Sequence, residues 1–386
     1  MSDIGALVDE AAARAGPWPG EVPFADTLEL LVDSCRATGG LNAIGAQVLH
    51  KAAVRHLRNL RELQAHVDDH PEIAGRRIDS PVVVTGLPRT GTTLLHNLLA
   101  LDPVHRVLRF WEALHPIPPS HGGPSAETLQ AQAERWLDGF HRLVPTFRAI
   151  HRATATGPEE CDALLQNSFA SQHFDDMFDA ERYSAWLATA PLRLEYQHYA
   201  LQLRVLSPVP GATSTTSPRT WALKSPSHLG HLDALLDALP GATVVICHRH
   251  PRQAVASYAS LIQTLRRAYG DAASPAAIGR QALARAATAM QRALDVRDAT
   301  EESGFVDVPY PVLVHDPVAA MRAVYEGLGR PAGAEVEERV RHWALANPQH
   351  QHGPHRYDLG RFGLTDAAVD AAFSPYLERF GPLVDA

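Results

Sequence analysis

Gly86-Leu87-Pro88-Arg89-Thr90-Gly91-Thr92-Thr93 is the stretch of this chain best suited to holding an anion. Its two glycines let the backbone bend and come close to a ligand. Successive backbone N–H groups in such a loop, opening onto a helix N-terminus, form a cradle for phosphate. Thr92 and Thr93 add hydroxyl donors. The glycine spacing is that of a nucleoside-triphosphate loop, which carries Lys after its second glycine to reach the β- and γ-phosphates. Thr92 stands there instead, and the only nearby cation is Arg89, inside the loop.

A second anion motif lies downstream. His248-Arg249-His250-Pro251 follows an apolar run and leads to Ser257, eight residues after Arg249. With Arg249 at a strand end and Ser257 two turns into the next helix, the pair could clamp one anion. The planar guanidinium fork suits phosphate because it donates two parallel hydrogen bonds. Two anion sites at adjacent strand ends imply a ligand phosphorylated at two places.

These motifs need elements to carry them. Pro81-Val82-Val83-Val84-Thr85-Gly86 reads as a strand buried on both faces, as in a parallel sheet. Thr92 to Leu101 repeats leucine on one helical face, and Asp102-Pro103 ends it. Strands recur at Trp221–Leu223 and Ala242–Cys247, with a helix between them bearing Leu229, Leu232, Leu235, Leu236 and Leu239. Residues 251–301 read as helical. Val306–Val314 reads as an edge strand because Pro309 and Pro311 interrupt it, and a helix follows from Pro317 to Leu328. Residues 1–78 and 104–218 read as helical with no clear strand, apart from a Gly/Ser/Thr/Pro loop over Val209–Pro218. Strand-helix alternation around a long helical insert predicts an α/β fold, a three-layer parallel sheet with helices on both faces. Ligands of such sheets bind at the carboxyl ends of the strands. The residues after Val84, Leu223 and Ile246 should therefore converge on one crevice, and Lys224 joins the candidates there.

Gly86 to Thr93 resembles the 5′-phosphosulfate loop of sulfotransferases, and Arg249 to Ser257 resembles their 3′-phosphate motif. Lys224-Ser225-Pro226 lies between them, as in the bacterial branch of that P-loop-like superfamily. The resemblance covers roughly residues 81–330. It implies a single sulfotransferase-like domain over 1–386, with the helical insert as a cap on the acceptor side. It also implies the donor 3′-phosphoadenosine 5′-phosphosulfate (PAPS), the product 3′,5′-bisphosphoadenosine, and no metal. The acceptor would be a hydroxyl, or less readily an amine, of a small or lipid-like molecule. Gly86, Pro88, Arg89, Thr90, Gly91, Thr92, Thr93, Arg249 and Ser257 would bind the donor. Arg356, in a loose match to the family's basic C-terminal loop, would close over it. Two positions depart from the pattern. Many family loops carry Lys where Arg89 stands, and an Arg there keeps the charge but cannot donate its proton. Many 3′ motifs carry Asp where Gln253 stands, which leaves the role of Gln253 open.

Sulfuryl transfer, like phosphoryl transfer, needs in-line positioning and stabilisation of the charge on the leaving oxygen. Arg89 and Lys224 are the candidates for that stabilisation. His228, four residues past Lys224, is a candidate base, kept neutral if it sits at a helix N-terminus. The rivals are Glu112, in Phe110-Trp111-Glu112, and Glu159 or Glu160, in Gly157-Pro158-Glu159-Glu160. A kinase-like nucleotide enzyme is the alternative, and it lacks its lysine. A non-catalytic nucleotide-binding protein of the same fold is another.

Composition agrees with a small polyanionic ligand. In 386 residues, 35 basic side chains against 43 acidic ones give a net charge of −8, which excludes a general nucleic-acid binder. Three scattered cysteines among 21 histidines offer no zinc spacing or disulfide framework and suit a reducing, cytoplasmic setting. Met1-Ser2-Asp3-Ile4 does not open a signal peptide, and no apolar run approaches the ~20 residues of a membrane span. A homodimer remains open.

Overall fold

Val82–Thr85 (β1) is buried along its whole length, as its unbroken β-branched run predicts. It lies at the centre of a five-stranded sheet with His105–Arg106 (β2), Thr220–Lys224 (β3), Thr243–His248 (β4) and Phe305–Pro309 (β5), in the order β2-β3-β1-β4-β5. All four pairings are parallel. The computed structural model describes residues 3–119, 123–147, 153–208, 220–270, 273–300, 304–347 and 358–384. Arg356 and the loop 209–218 lie outside them.

By its contacts the chain divides into two compact units, one of Met1–Arg77, Arg109–Thr213 and Leu261–Ala273, the other of Ile78–Leu108, Ser214–Ser260 and Ser274–Ala386. The second holds the sheet. Alternate strand residues Val82, Val84, Ala222, Val245, Cys247, Val306 and Val308 face one layer of helices, through Leu95, Leu98 and Leu99 of Thr92–Leu99 and Ala320, Met321 and Val324 of Pro317–Gly327. The opposite face meets Pro275–Ala299 and Ser374–Val384. Arg297 donates twice to Asp307 at 2.7 Å, and His248 bonds Asp307 through Nε2 at 2.7 Å and Tyr376 through Nδ1 at 3.0 Å. Helices thus cover both faces, as expected of a three-layer α/β fold.

The other unit is helical. Its main helices are Ile4–Ala15, Ala25–Thr38, Ala43–Asp69, Ala126–Leu143, Glu181–Thr189 and Arg193–Leu206. Asn42 caps the third by accepting the Gly45 N–H at 2.8 Å. Gly45 is required there, because a Cβ would lie 1.9 Å from the Tyr269 carbonyl. Most aromatic residues of the insert are core. Phe169, Phe174, Phe178, Tyr183, Tyr196 and Tyr199 are all fully buried.

Three expectations need correction. β2 lies inside the stretch read as strandless, because two residues carry no period. β5 does sit at the sheet edge, but it stops at Pro309. Tyr310–His315 is a helix with Pro311 in its first turn, where a missing N–H costs nothing. The leucine-bearing segment after β3 begins as a 3-10 helix, Pro226–His231, and becomes α-helical only at Leu232.

Burial pushes the Asp307 carboxyl up, but the hydrogen bonds from Arg297 and His248 outweigh it and hold the group well below the usual Asp range. Asp307→Asn should therefore cost about 1–3 kcal/mol at neutral pH. The advantage of the unmodified chain is complete above the unfolded Asp value of about 4 and fades as pH falls below it toward the native value. Thermal melts of both proteins from pH 7 to pH 2.5 check this, and a constant Tm difference would contradict it.

Candidate active site

The loop after β1 is shaped by two glycines. Gly86 has φ 145°, and a Cβ there would lie 2.5 Å from the Cys247 carbonyl oxygen. Gly91 has φ 93° and caps the helix Thr92–Leu99, with Leu313 and Tyr310 packed where a Cβ would point. Thr90 Oγ1 donates to the Leu87 carbonyl at 2.7 Å and closes the turn. Arg89 also has positive φ, 74°. A non-glycine residue pays about 1–2 kcal/mol for that conformation, so neighbouring contacts must hold it.

Those contacts come from the second motif. Arg249 Nη1 donates to the Arg89 carbonyl at 2.8 Å, and Arg89 Nε donates to Ser257 Oγ at 3.1 Å. Arg249 is itself placed from two sides. Its Nε donates to Gln253 Oε1 at 3.0 Å, and its guanidinium lies 4.3 Å from the Tyr310 ring centroid. Gln253 thus acquires a role that its sequence position left open. Tyr310 went unnoticed in the sequence; its signal is the Pro309-Tyr310-Pro311 break at the end of β5.

Lys224 completes the group. It ends β3, beside Val84 in the parallel register, and is 1% exposed. Its Nζ donates to Thr93 Oγ1 at 3.2 Å. An ammonium thus reaches the loop from the next strand, although Thr92 occupies the usual lysine position. The strands ending at Val84, Leu223 and Ile246 are neighbours in the sheet; Arg249, Arg89 and Ser257 form a hydrogen-bonded chain, and Lys224 meets the same loop segment at Thr93.

The remaining candidates have other surroundings. His228 is completely buried within the 3-10 helix Pro226–His231, not at the start of an α-helix. Glu112, Glu159 and Glu160 belong to the helical unit. Glu112 Oε2 accepts the Arg109 N–H at 3.0 Å, half of a capping box at Phe110–Leu114. Glu159 accepts the Glu160 N–H at 2.8 Å. Glu160 lies 3.7 Å from His173, which Asp162 approaches at 3.4 Å. Burial pulls His173 down, but Asp162, Glu160 and Glu159 together lift it to about 10, so it is an imidazolium at neutral pH. Among the described residues no group of three or more His, Cys, Asp or Glu could hold a metal.

Residues 81–333 match the model of the Sulfotransferase family. The chain belongs to this family. The sulfotransferase is also similar in structure to two solved members. Against the sulfotransferase STF9 from Mycobacterium avium it is 29% identical, with a TM-score of 0.83 over 98% of this chain and 97% of that one. Against STF1 from Mycobacterium tuberculosis the identity is 27% and the TM-score 0.82, over 97% and 99%. Among characterised relatives, the omega-hydroxy-beta-dihydromenaquinone-9 sulfotransferase Stf3 of Mycobacterium bovis is 24% identical over 319 residues, 80% of this chain and 78% of that protein.

The placement of Arg249 depends on a residue far along the chain. The Tyr376 hydroxyl bonds the Arg249 backbone and His248 Nδ1 together. Tyr376→Phe removes that link without changing the packing. It should lower the stability of the chain by about 1 kcal/mol, the worth of one hydrogen bond. Urea denaturation of the two proteins would detect it, and equal midpoints would show that the Tyr376 hydroxyl does not hold this corner of the sheet.

Proposed function

We propose that this sulfotransferase moves a sulfuryl group from PAPS to a hydroxyl of a lipid-like or small-molecule acceptor, in the cytoplasm and as one catalytic domain. The observation that carries the reading is the linked set of Arg89, Lys224, Arg249 and Ser257 at three adjacent strand ends. One anion cradle explains any phosphate ligand. Two cradles joined through Arg249 and the Arg89 carbonyl favour a nucleotide phosphorylated on both sides of its ribose. The lipid-like acceptor draws support from the quinone-modifying relative.

In this reading the loop N–H groups, Arg89, Thr92 and Thr93 hold the 5′-phosphosulfate, and Arg249 with Ser257 holds the 3′-phosphate. Gly86, Pro88, Thr90 and Gly91 shape the loop. The acceptor oxygen attacks sulfur. The bond from sulfur to the bridging oxygen breaks, and its electron pair leaves with the 5′-phosphate. Lys224 is the cation for that oxygen: it is desolvated, and a charge in a dry site acts more strongly than one in water. The acceptor proton passes to a base among His228, Glu112, Glu159 and Glu160. Complete burial argues against His228 as the first proton acceptor. Glu160, beside the His173 imidazolium, would need to leave an ion pair to take a proton.

Calorimetry with 3′,5′-bisphosphoadenosine and with ATP tests the donor directly; tight ATP binding with none of the bisphosphate would overturn the reading. Arg249→Met should weaken the bisphosphate by about 10- to 100-fold. Lys224→Met should lower kcat by about 100- to 1,000-fold, as removal of one preorganised donor does, and should also weaken the bisphosphate, which keeps the oxygen that Lys224 faces. Binding of the bisphosphate with no turnover on any acceptor tried would instead favour a non-catalytic protein.

A further inference from the structure

In the helical unit, Arg55 and Arg58 stand three residues apart on the helix Ala43–Asp69 and so share a face. Both are half-buried. Arg55 Nη2 donates to His56 Nε2 at 3.1 Å, and His56 Nδ1 donates to Asn167 Oδ1 at 2.7 Å. His56 is therefore a neutral acceptor and supplies no countercharge. The Nε atoms of Arg55 and Arg58 are both buried without a hydrogen-bond partner. Among the described residues no carboxylate pairs with Arg55. Arg58 has Glu62 at 3.5 Å, too poorly aligned for a hydrogen bond to its Nε. Asn59 Nδ2 donates to the Leu114 carbonyl at 3.4 Å, which docks the helix Phe110–Leu114 against this face and brings in His115.

The electrostatics record the crowding. Burial lowers His115 to about 4, and Arg58 and Arg55 add to the effect. Burial and then Arg58 lower Arg55 to about 10. Burying a guanidinium donor without an acceptor is costly, and a second like charge beside it raises that cost. An apolar side chain of similar length would serve packing better. Beside the cations is an apolar surface. The Arg55 guanidinium lies 5.8 Å from the Trp136 ring, which stacks on Phe140 at 5.5 Å and meets Phe110 at 5.4 Å. Trp136 is 40% exposed.

We propose that Arg55, Arg58 and His115 form an oxyanion site, and that with Trp136 they take a carboxylate or phosphate group attached to an apolar body. That this molecule is the sulfuryl acceptor rests on the function proposed above; the site itself does not.

The test uses the full chain with 3′,5′-bisphosphoadenosine in excess, so that the loop at Gly86–Thr93 does not compete for anions. Octanoate, octanol and inorganic phosphate are titrated by calorimetry into the unmodified protein and into Arg55→Met/Arg58→Met. Octanoate should bind the unmodified chain and bind the double variant about tenfold or more weakly, the loss expected for charge-assisted bonds. Octanol should bind both alike. Phosphate binding as tight as octanoate would support the oxyanion site and overturn its apolar half. Equal octanoate binding by the two proteins would overturn the proposal. If the double variant does not fold, Arg55→Lys, which keeps the charge and loses the planar fork, should still weaken octanoate several-fold; no change would equally overturn it. Failure of the bisphosphate to bind would count against the donor assignment alone, because the octanoate comparison still reads the arginines.

Discussion

Arg249 donates to the backbone carbonyl of Arg89 at 2.8 Å, and much of the sheet-bearing unit is arranged around that bond. Arg89 sits in a left-handed conformation that a non-glycine residue does not hold unaided. The carbonyl it presents is fixed by one cation, and its own side chain is fixed by Ser257. Arg249 in turn needs a rigid base. It receives one from Gln253 along its own helix, from the Tyr310 ring at the end of β5, and from the Tyr376 hydroxyl at its backbone. The loop after β1, the helix after β4 and the end of β5 meet the Arg249 guanidinium, and the last helix meets the backbone of the same residue.

The same economy governs charge. Lys224 is almost wholly buried at the end of β3, and the donor it presents is directed at a hydroxyl of the loop helix. Asp307 is held ionised by Arg297 and His248, and the stacked rings of His248 and Tyr376 carry that order to the C-terminal helix. These are desolvated groups with defined partners, which is what stiff polar networks require. A site proposed to bind a small polyanion gains from such stiffness. Ordering side chains at the moment of binding would otherwise consume much of the interaction.

The helical unit shows the contrasting case. Its buried amide network, His56 to Asn167 to Gln202, is closed and satisfied. On the same helix Arg55 stands next to His56 and Arg58 two residues beyond it, and their buried Nε atoms lack hydrogen-bond partners. Their local cost, set against so well-satisfied a neighbourhood, is what motivates the oxyanion site proposed for them.

The amino-acid sequence was enough to locate the sheet's central strand and the motifs at Gly86–Thr93 and Arg249–Ser257. β-branched runs, glycines that tolerate positive φ and arginines at fixed offsets are local properties, so they are legible without a fold. It also determined that Thr92 cannot supply the missing lysine charge. The fold supplies that charge, because Lys224 reaches Thr93 across 131 residues of chain. It alone set Gln253 and Tyr310 around Arg249, buried His228 in a 3-10 turn, and separated the core aromatics of the insert from the exposed Trp136 ladder. It alone showed that no carboxylate among the described residues pairs with Arg55. Pairing, burial and desolvation depend on which distant segments meet, and hydrophobic period and motif spacing carry no record of that.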